Sequence, residues 1–190
     1  MNTPAHVIIN LLCLGRQDEA RILTPVILGS LLPDVPIFIF YFVEKVIRGT
    51  PERVIWSQAY HQSGWQNAID LCHSLPLMGL GILLSYWGGS KIGVLFFVSM
   101  VLHVAGDLPL HHDDAHRHFF PLSNWRFSSP VSYWDPRHYG QIVSVLEILA
   151  VIVSCIVLLR LYKTWPGKIS IGVIGLVYVA YFVYVFTVWV

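Results

Sequence analysis

The residues best suited to chemistry are concentrated in one stretch, 103–118, which contains five histidines, three aspartates and one arginine. The stretch begins inside an apolar run, 94–110, that is typical of a membrane helix. His103 and Asp107 are four residues apart, so on a helix their side chains point the same way and can bind one ion. This spacing predicts a metal site centred on His103 and Asp107.

Further candidate ligands lie at the ends or breaks of other apolar segments. His6 is near the start of the chain, Asp34 lies between two prolines, and Asp70 and His73 are three residues apart. Irregular backbone at membrane depth should line a cavity or the protein interior, which makes an acid there a candidate site residue. We therefore expect these four residues to converge with His103 and Asp107.

The acidic residues of the apolar segments need positive partners. A carboxylate near the bilayer centre costs roughly 2.5–3.5 kcal/mol, so four unpaired ones would cost on the order of 10 kcal/mol, comparable to a domain's stability. These acids are Asp34, Asp70, Asp107 and Glu147. The basic residues between 22 and 115 are Lys45, Arg48, Arg53 and Lys91, which lie outside the proposed site. A divalent cation is therefore the compensation we expect.

Each residue taken alone has a simpler interpretation. A single His or Asp in a membrane is often a hydrogen-bonded packing residue, and a helix end can place Asp70 or Asp107 among the lipid headgroups. The convergence of the set favours a metal. Glu147 is the exception, because it shares a helix stripe with Ser144 and Ser154 and is predicted to line a polar seam between helices.

The loop that follows Pro109 carries the candidate catalytic residues. His111 can complete the binding site of a second ion, and His112 or His116 can protonate a leaving group. Arg117 and Arg126 can hold a phosphate in bidentate fashion. The alternatives are that the histidine-rich loop is simply solvated or binds metal adventitiously, and that the aromatic residues of 120–127 are anchors at the lipid interface.

Composition places these residues in a membrane protein. The 190 residues are 55% hydrophobic and 12% charged, about half the charged fraction of a soluble domain. A formal net charge of +1 gives no reason to expect a nucleic-acid partner. The three cysteines lie in apolar runs without paired spacing, which favours packing over disulfides.

The apolar segments predict an all-α integral membrane helical bundle with roughly four to six hydrophobic helices. We expect a helix from residue 3 to about 14, and two helices, about 22–32 and 36–48, that meet at Asp34. A polar connection, 44–67, precedes an antiparallel hairpin of two helices, 68–87 and one from residue 91, which brings Asp70 and His73 level with His103 and Asp107. The predicted organisation is a metal-site core, 1–140, with a long active-site loop, 109–139, and a C-terminal transmembrane hairpin, 141–190, in the same domain.

Five short motifs occur in an order that resembles the inner-membrane, metal-dependent hydrolase family. They are Pro4-Ala5-His6, Gly29-Ser30-Leu31-Leu32-Pro33-Asp34, Cys72-His73-Ser74-Leu75, His103-x-x-x-Asp107 and Phe120-Pro121-Leu122-x-x-x-Arg126-Phe127. That family is similar in turn to zinc-dependent phospholipase C and to single-strand-specific fungal nucleases. The resemblance spans residues 4 to 127.

The resemblance implies a zinc-phospholipase-C-like helical core with five metal ligands. These ligands would be His6, Asp34, His73, His103 and Asp107. Many relatives have a further histidine five residues before the one that matches His73, where this chain has Ala68; Asp70 is the candidate replacement. The number of ions stays open.

The predicted function is hydrolysis of a phosphoester by a metal-activated water at a membrane surface. Histidine and carboxylate ligands suit zinc, with manganese as the alternative. The expected partner is membrane lipid, and the substrate is amphiphilic, such as a phospholipid or an isoprenoid phosphate. We expect the bacterial inner membrane. The count of basic residues favours a cytoplasmic site, although their density in the short 160–168 turn argues the reverse.

Two other functions fit the same residues. A metal transporter or sensor would use intramembrane His and Asp, but the last two predicted helices lack a second His or acidic stripe to complete a pathway. A non-catalytic membrane protein could hold the ion structurally, in which case four protein ligands would close the site.

Overall fold

A computed structural model describes residues 1–188, apart from the side chains of 185, 186 and 188, and every regular element within that range is helical. The all-α prediction is therefore confirmed. The α-helices are α1 Thr3–Leu14, α2 Ala20–Leu31, α3 Val35–Phe42, α4 Glu52–Val54, α5 Ser63–Cys72, α6 Leu75–Trp87, α7 Lys91–Asp107, α8 Gly140–Leu161 and α9 Trp165–Val188.

Four helical stretches are long and apolar enough to cross a membrane. They are Ala20–Ile47, Ser63–Trp87, Gly140–Leu161 and Trp165–Tyr184. Large apolar side chains such as Leu149 and Leu176 are exposed along them, as expected of surfaces that face lipid. The fold is thus compatible with the predicted membrane protein.

The chain stays helical through the two prolines around Asp34. Helices α2 and α3 meet there as predicted, but they are joined by the 3-10 turn Leu32–Asp34 rather than by a loop. Pro33 and Pro36 each lie in the first turn of a new helical segment, a position that tolerates proline. The Asp34 side chain thus lies at the junction of the two helices.

The helix predicted over 68–87 is in fact two helices. Helix α5 ends at Cys72, His73 follows as its C-cap, and the Ser74 hydroxyl accepts from the Leu77 N–H to start α6. Pro76 lies in the first turn of α6, where proline is tolerated because an N–H there has no partner within the helix. Asp70, in the last turn of α5, and His73, its C-cap, both precede this break and therefore lie on the same helical segment.

Small residues bring α1, α2 and α7 close together. A Cβ on Gly29 would collide with the Phe96 carbonyl of α7. Beside it, Asn10 of α1 donates to the Ser99 carbonyl (2.7 Å) and to its hydroxyl oxygen (2.9 Å), and that hydroxyl donates to the Val26 carbonyl (2.7 Å). This buried network fixes the register of the helices that carry His6, Asp34 and His103.

The hairpin of α6 and α7 turns through Gly88-Gly89-Ser90, as the sequence predicts. Gly89 has a φ of 69°, a left-handed conformation that favours glycine. The Ser90 hydroxyl then accepts from the Gly93 N–H at the start of α7.

The last two helices pack on α1 through Glu147. Its carboxylate accepts from the Asn2 backbone N–H (3.1 Å), the Asn2 side-chain amide (2.6 Å) and the Tyr178 hydroxyl (3.1 Å). At the opposite end, the Tyr162 hydroxyl donates to the Gly15 carbonyl (2.8 Å). Glu147 therefore lines a polar seam as predicted; residues 189–190 of the predicted hairpin lie outside the described residues.

The segment between α7 and α8 is mostly irregular and lies over the ends of other helices. The Leu75 N–H donates to the His118 carbonyl (2.8 Å), and the Ser74 hydroxyl donates to the Phe120 carbonyl. The Asp135 side chain caps a 3-10 turn, Pro136–His138, and α8 begins only at Gly140. The intervening Tyr139 has a φ of 65°, a left-handed conformation that separates the 3-10 turn from α8.

Candidate metal centre

Four predicted ligands converge where α2, α5 and α7 end. Asp34, His73, His103 and Asp107 are all buried, and each offers a ligand atom within 4.8 Å of the others. The His103 Nε2 atom is 3.0 Å from Asp107 Oδ2 and 3.5 Å from Asp34 Oδ1, whereas the His73 Nε2 atom is 3.8 Å and 4.0 Å from the same oxygens. These four residues, here called the inner group, could hold a metal ion.

Backbone carbonyls orient both histidines of the inner group for binding. His73 Nδ1 lies 2.9 Å from the Ile69 carbonyl, and His103 Nδ1 lies 2.8 Å from the Ser30 carbonyl. A carbonyl only accepts hydrogen bonds, so Nδ1 of each neutral ring carries the proton and the lone pair is on Nε2. Within the described residues, both buried Nε2 atoms lack a hydrogen-bond partner. This is the arrangement in which proteins present histidine to a metal.

Asp107 also belongs to a second group, which lies in the loop after α7. It consists of Asp107, His111 and His116, all buried, with ligand atoms again within 4.8 Å of one another. Asp107 Oδ1 is 3.2 Å from His111 Nε2, while its other oxygen faces the inner group. This loop group could hold a second ion, and the Asp107 carboxylate lies between the two.

The loop histidines have opposite protonation preferences. Burial disfavours the charged form of His111, but the Asp107 and Asp114 carboxylates outweigh it and raise the pKa of His111 to about 9. His116 stacks on His73 with ring centroids 4.1 Å apart, and burial and the neighbouring His73 and His111 hold its pKa well below the ordinary value. At neutral pH without metal, His111 is therefore protonated and His116 is neutral.

His6 lies against the inner group rather than within it. Its ring stacks on His103 with centroids 3.6 Å apart, and its Nε2 atom is 2.9 Å from Asp107 Oδ1. The backbone nitrogen of Met1 is 2.7 Å from the same oxygen. In the described part of the chain His6 Nδ1 has no hydrogen-bond partner. Its role as a ligand stays a prediction.

Asp70 lies outside both groups. One oxygen accepts from the Arg117 backbone N–H (2.9 Å) and the other from Arg117 Nε (2.5 Å), with Arg126 Nη2 at 3.6 Å. His116 Nδ1 is 3.9 Å away. Two arginines of the loop thus neutralise this acid, where we expected a metal to do so. The reason is tertiary, because the loop folds back over α5 and brings basic residues from outside the segment we had considered.

Of the four predicted catalytic residues, only His116 reaches either group. Arg117 donates its other nitrogens to Asn124 (2.9 Å) and Asn67 (2.5 Å) and stacks over Phe120. Its donors are therefore engaged within the protein instead of facing a phosphate.

Arg126 and His112 are also held by other contacts. Arg126 donates to the Ala115 carbonyl (2.7 Å) and to Gln66 (3.1 Å). His112 Nδ1 lies against the Ser129 carbonyl, and its ring stacks on His138. Neither residue contributes to the groups that could hold an ion.

Three polar residues near the centre were not predicted from the sequence. The Thr3 hydroxyl donates to Asp34 Oδ2 (2.5 Å), Asp114 Oδ2 lies 3.0 Å from His111 Nδ1, and the buried His118 Nδ1 lacks a partner among residues 1–188. Asp114 follows His111 by three residues, a spacing that could have indicated the contact. Thr3 and His118 carried no such signal.

Comparisons of the chain with models of protein families, with curated proteins and with solved structures found no match. The assignment of the centre therefore depends on its geometry, which shows two buried Asp/His groups able to hold a metal ion.

Proposed function

We propose that the chain is a membrane-bound, metal-dependent hydrolase that cleaves a phosphoester of an amphiphilic substrate. The observation that carries the proposal is the position of Asp107, whose two oxygens face two buried groups containing unpartnered imidazole nitrogens. Two neighbouring metal ions are common in enzymes that cleave phosphoesters, such as phosphatases and nucleases.

The two groups differ in the number of ligands that they offer. The inner group has four protein ligands, which is the number that closes a structural zinc site. The loop group has three, which leaves a coordination position open, as catalytic zinc sites do. We assign the reaction to the loop group and a supporting role to the inner group. Zinc fits this mixture of histidine and carboxylate best, with manganese as the alternative.

When bound, a divalent ion supplies Lewis acidity and makes a nucleophilic water available at neutral pH. The chain's own residues prepare the surroundings. The Ser30 and Ile69 carbonyls hold the inner histidines in the binding tautomer. Asp114 holds the ring of His111, and the burial of both groups excludes bulk water. His118 stays outside both groups, and burial lowers its pKa, so it is neutral and able to accept a proton.

The surroundings of the centre favour a lipid-like substrate. Asp34 and His73 lie within two of the long apolar helical stretches, so an amphiphile such as a phospholipid or an isoprenoid phosphate could present a polar bond while its chains stay in lipid. We place the protein in the bacterial inner membrane with the centre on the cytoplasmic side, following the count of basic residues.

One observation favours a second candidate, a non-catalytic protein with a structural ion. The inner group alone already provides a complete, buried set of four ligands. In that case one ion would bind and the loop group would contribute nothing to it.

The test is to purify the protein in detergent, measure bound metal by mass spectrometry and assay a panel of phosphoester lipids. We expect about two ions in the wild type, about one in His111→Gln with loss of hydrolysis, and unchanged values in the matched control His61→Gln, which alters an exposed histidine. A single ion that His111→Gln leaves in place, together with no hydrolysis by the wild type, would support the structural candidate and refute the enzyme.

A further inference from the structure

The length of α8 gives a scale for the depth of the metal centre in the membrane. With a rise of about 1.5 Å per residue, α8 is about 33 Å long, close to the thickness of a bilayer's hydrocarbon core. Glu147 bonds to Asn2, and the next residue, Thr3, bonds to Asp34 of the inner group. Because Glu147 is about 10 Å from the Gly140 end of α8 and about 20 Å from the Leu161 end, the centre is nearer the Gly140 end.

Apolar surface continues past the centre on this side. Ile142 and Leu146 are exposed on the first turns of α8, and Phe38 and Phe42 are exposed on α3, which follows Asp34. Residues of this kind are expected to face lipid. The centre therefore lies beneath the membrane surface on this side, and the loop that covers it lies close to the level of the lipid headgroups.

That loop carries an exposed apolar cluster, here called the aromatic tip. It consists of Phe119, Leu122, Trp125 and Phe127, which are 42%, 79%, 52% and 40% exposed. The ring centroids of Phe119 and Trp125 are 5.9 Å apart, and those of Trp125 and Phe127 are 6.3 Å apart. The three rings thus form one patch, and Leu122 lies beside it, since its N–H donates to the Phe119 carbonyl (2.9 Å).

The tip is held in place by polar contacts beneath it. Arg117 stacks over Phe120 and pairs with the buried Asp70, while Ser74 bonds to the Phe120 carbonyl at the start of α6. The patch therefore sits on a fixed base, at the ends of helices whose other surfaces are apolar. Tryptophan and phenylalanine with this mixture of apolar surface and polar support are typical of the lipid–water interface.

We propose that the aromatic tip inserts into the lipid–water interface of the leaflet above the metal centre. Lipid is the partner because the tip is exposed and apolar, as are the α3 residues that follow Asp34 and the first turns of α8. The consequence for catalysis rests on the proposed function. In that case the substrate is a lipid of that leaflet, and it enters the centre beside the tip rather than from bulk water.

The insertion itself can be tested without any hydrolysis. Cys13, Cys72 and Cys155 are replaced by alanine, Leu122→Cys is added and labelled with an environment-sensitive fluorophore, and the full chain is placed in nanodiscs of phosphatidylcholine and phosphatidylglycerol. The probes are iodide in the water and lipids brominated near the headgroup or near the chain end. Matched labels are placed by Arg137→Cys, an exposed polar position beyond the tip, and by Leu149→Cys, an exposed position in the middle of α8.

We expect the label at 122 to be protected from iodide several-fold relative to the label at 137. We also expect it to be quenched most by the shallow bromines, whereas the label at 149 responds most to the deep ones. Iodide quenching at 122 equal to that at 137 would overturn the proposal. So would protection that appears only when a disc holds two copies, because that result would make the tip a contact between chains.

Substrate dependence separates this proposal from the proposed function. Trp125→Ser should lower hydrolysis of a bilayer phosphoester several-fold while leaving a short-chain, water-soluble phosphoester unaffected. Equal loss on both substrates would overturn the role of the tip in access. Shallow quenching without hydrolysis of any substrate would support the insertion and refute the enzyme.

Discussion

The ion pair between Asp70 and Arg117 gives the sharpest test of how the centre is built. The sequence suggested that Asp70 is a ligand, whereas the structure places its carboxylate against the Arg117 side chain and backbone. In the second case Asp70 is a positioning residue: it holds the loop at the position next to His116. The change to make is Asp70→Asn, which keeps the shape and removes the charge.

The size of the effect follows from burial. Removing one partner of a buried ion pair costs about 3–5 kcal/mol, because it leaves an uncompensated charge. Arg117 keeps its contacts with Asn67 and Asn124 and is slightly exposed, so we expect a lower value of about 2–3 kcal/mol. If docking of the loop is coupled to binding at His116, the affinity of the loop group falls by up to about 100-fold. The inner group should keep its ion.

The assay is a calorimetric titration with zinc, which measures the affinity for the metal. It is applied to the wild type, to Asp70→Asn, to Arg117→Gln and to the double mutant. As the control, Asp113→Asn removes an exposed acid of the same loop. If Asp70 acts through Arg117, the two effects are strongly non-additive, because either change breaks the same pair. Additive losses, with Arg117→Gln leaving the affinity for metal unchanged, would show that Asp70 is a ligand and refute this reasoning.

Three other predictions concern the helices and the loop. Gly29→Ala should destabilise the protein by about 1–3 kcal/mol in a denaturant titration, because its Cβ would collide with α7. The control Gly172→Ala adds a Cβ in open space and should be neutral or stabilising. Equal effects of the two changes would contradict the close packing at Gly29. Glu147→Leu should lower the free energy of unfolding by about 1–3 kcal/mol in the same measurement, because Asn2 loses a buried acceptor, and Glu147→Gln should lower it less. If neither change lowers it, the polar seam does not contribute to stability. The pKa of His111 is raised to about 9, so below that pH a proton competes with metal, and the affinity of the loop group should rise about tenfold per unit from about pH 7 to 9. Calorimetry at several pH values measures this slope, and a slope that His111→Gln leaves unchanged would exclude His111 as its source.

Local periodicity was sufficient for the parts of the centre that lie on one element. His103 and Asp107 share a helix face whatever the helix packs against, and the His103 Nε2 atom lies 3.0 Å from Asp107 Oδ2, as the four-residue spacing predicts. The helix junction at Asp34 and the hairpin turn at Gly89 were predictable for the same reason, since prolines and glycines act on the backbone beside them.

Contacts across the loop could not be predicted in this way. Asp70 and Arg117 are 47 residues apart, and no helical spacing relates them; the same holds for Thr3 and Asp34. These contacts depend on how the irregular segment after α7 folds over α5 and α6, which is decided by the sum of its bonds to Ser74, Leu75 and Asp70.

The sequence by itself thus determined that this is an apolar helical protein with buried acids and histidines on defined helix faces, because hydropathy and helical spacing are local properties. Only the tertiary structure decided which acid faces histidines and which faces arginine. It also brought His111 and His116 to Asp107, so that this carboxylate belongs to both groups. The physical reason is that the role of a buried charge is set by the groups that surround it in space, and most of those groups come from distant parts of the chain.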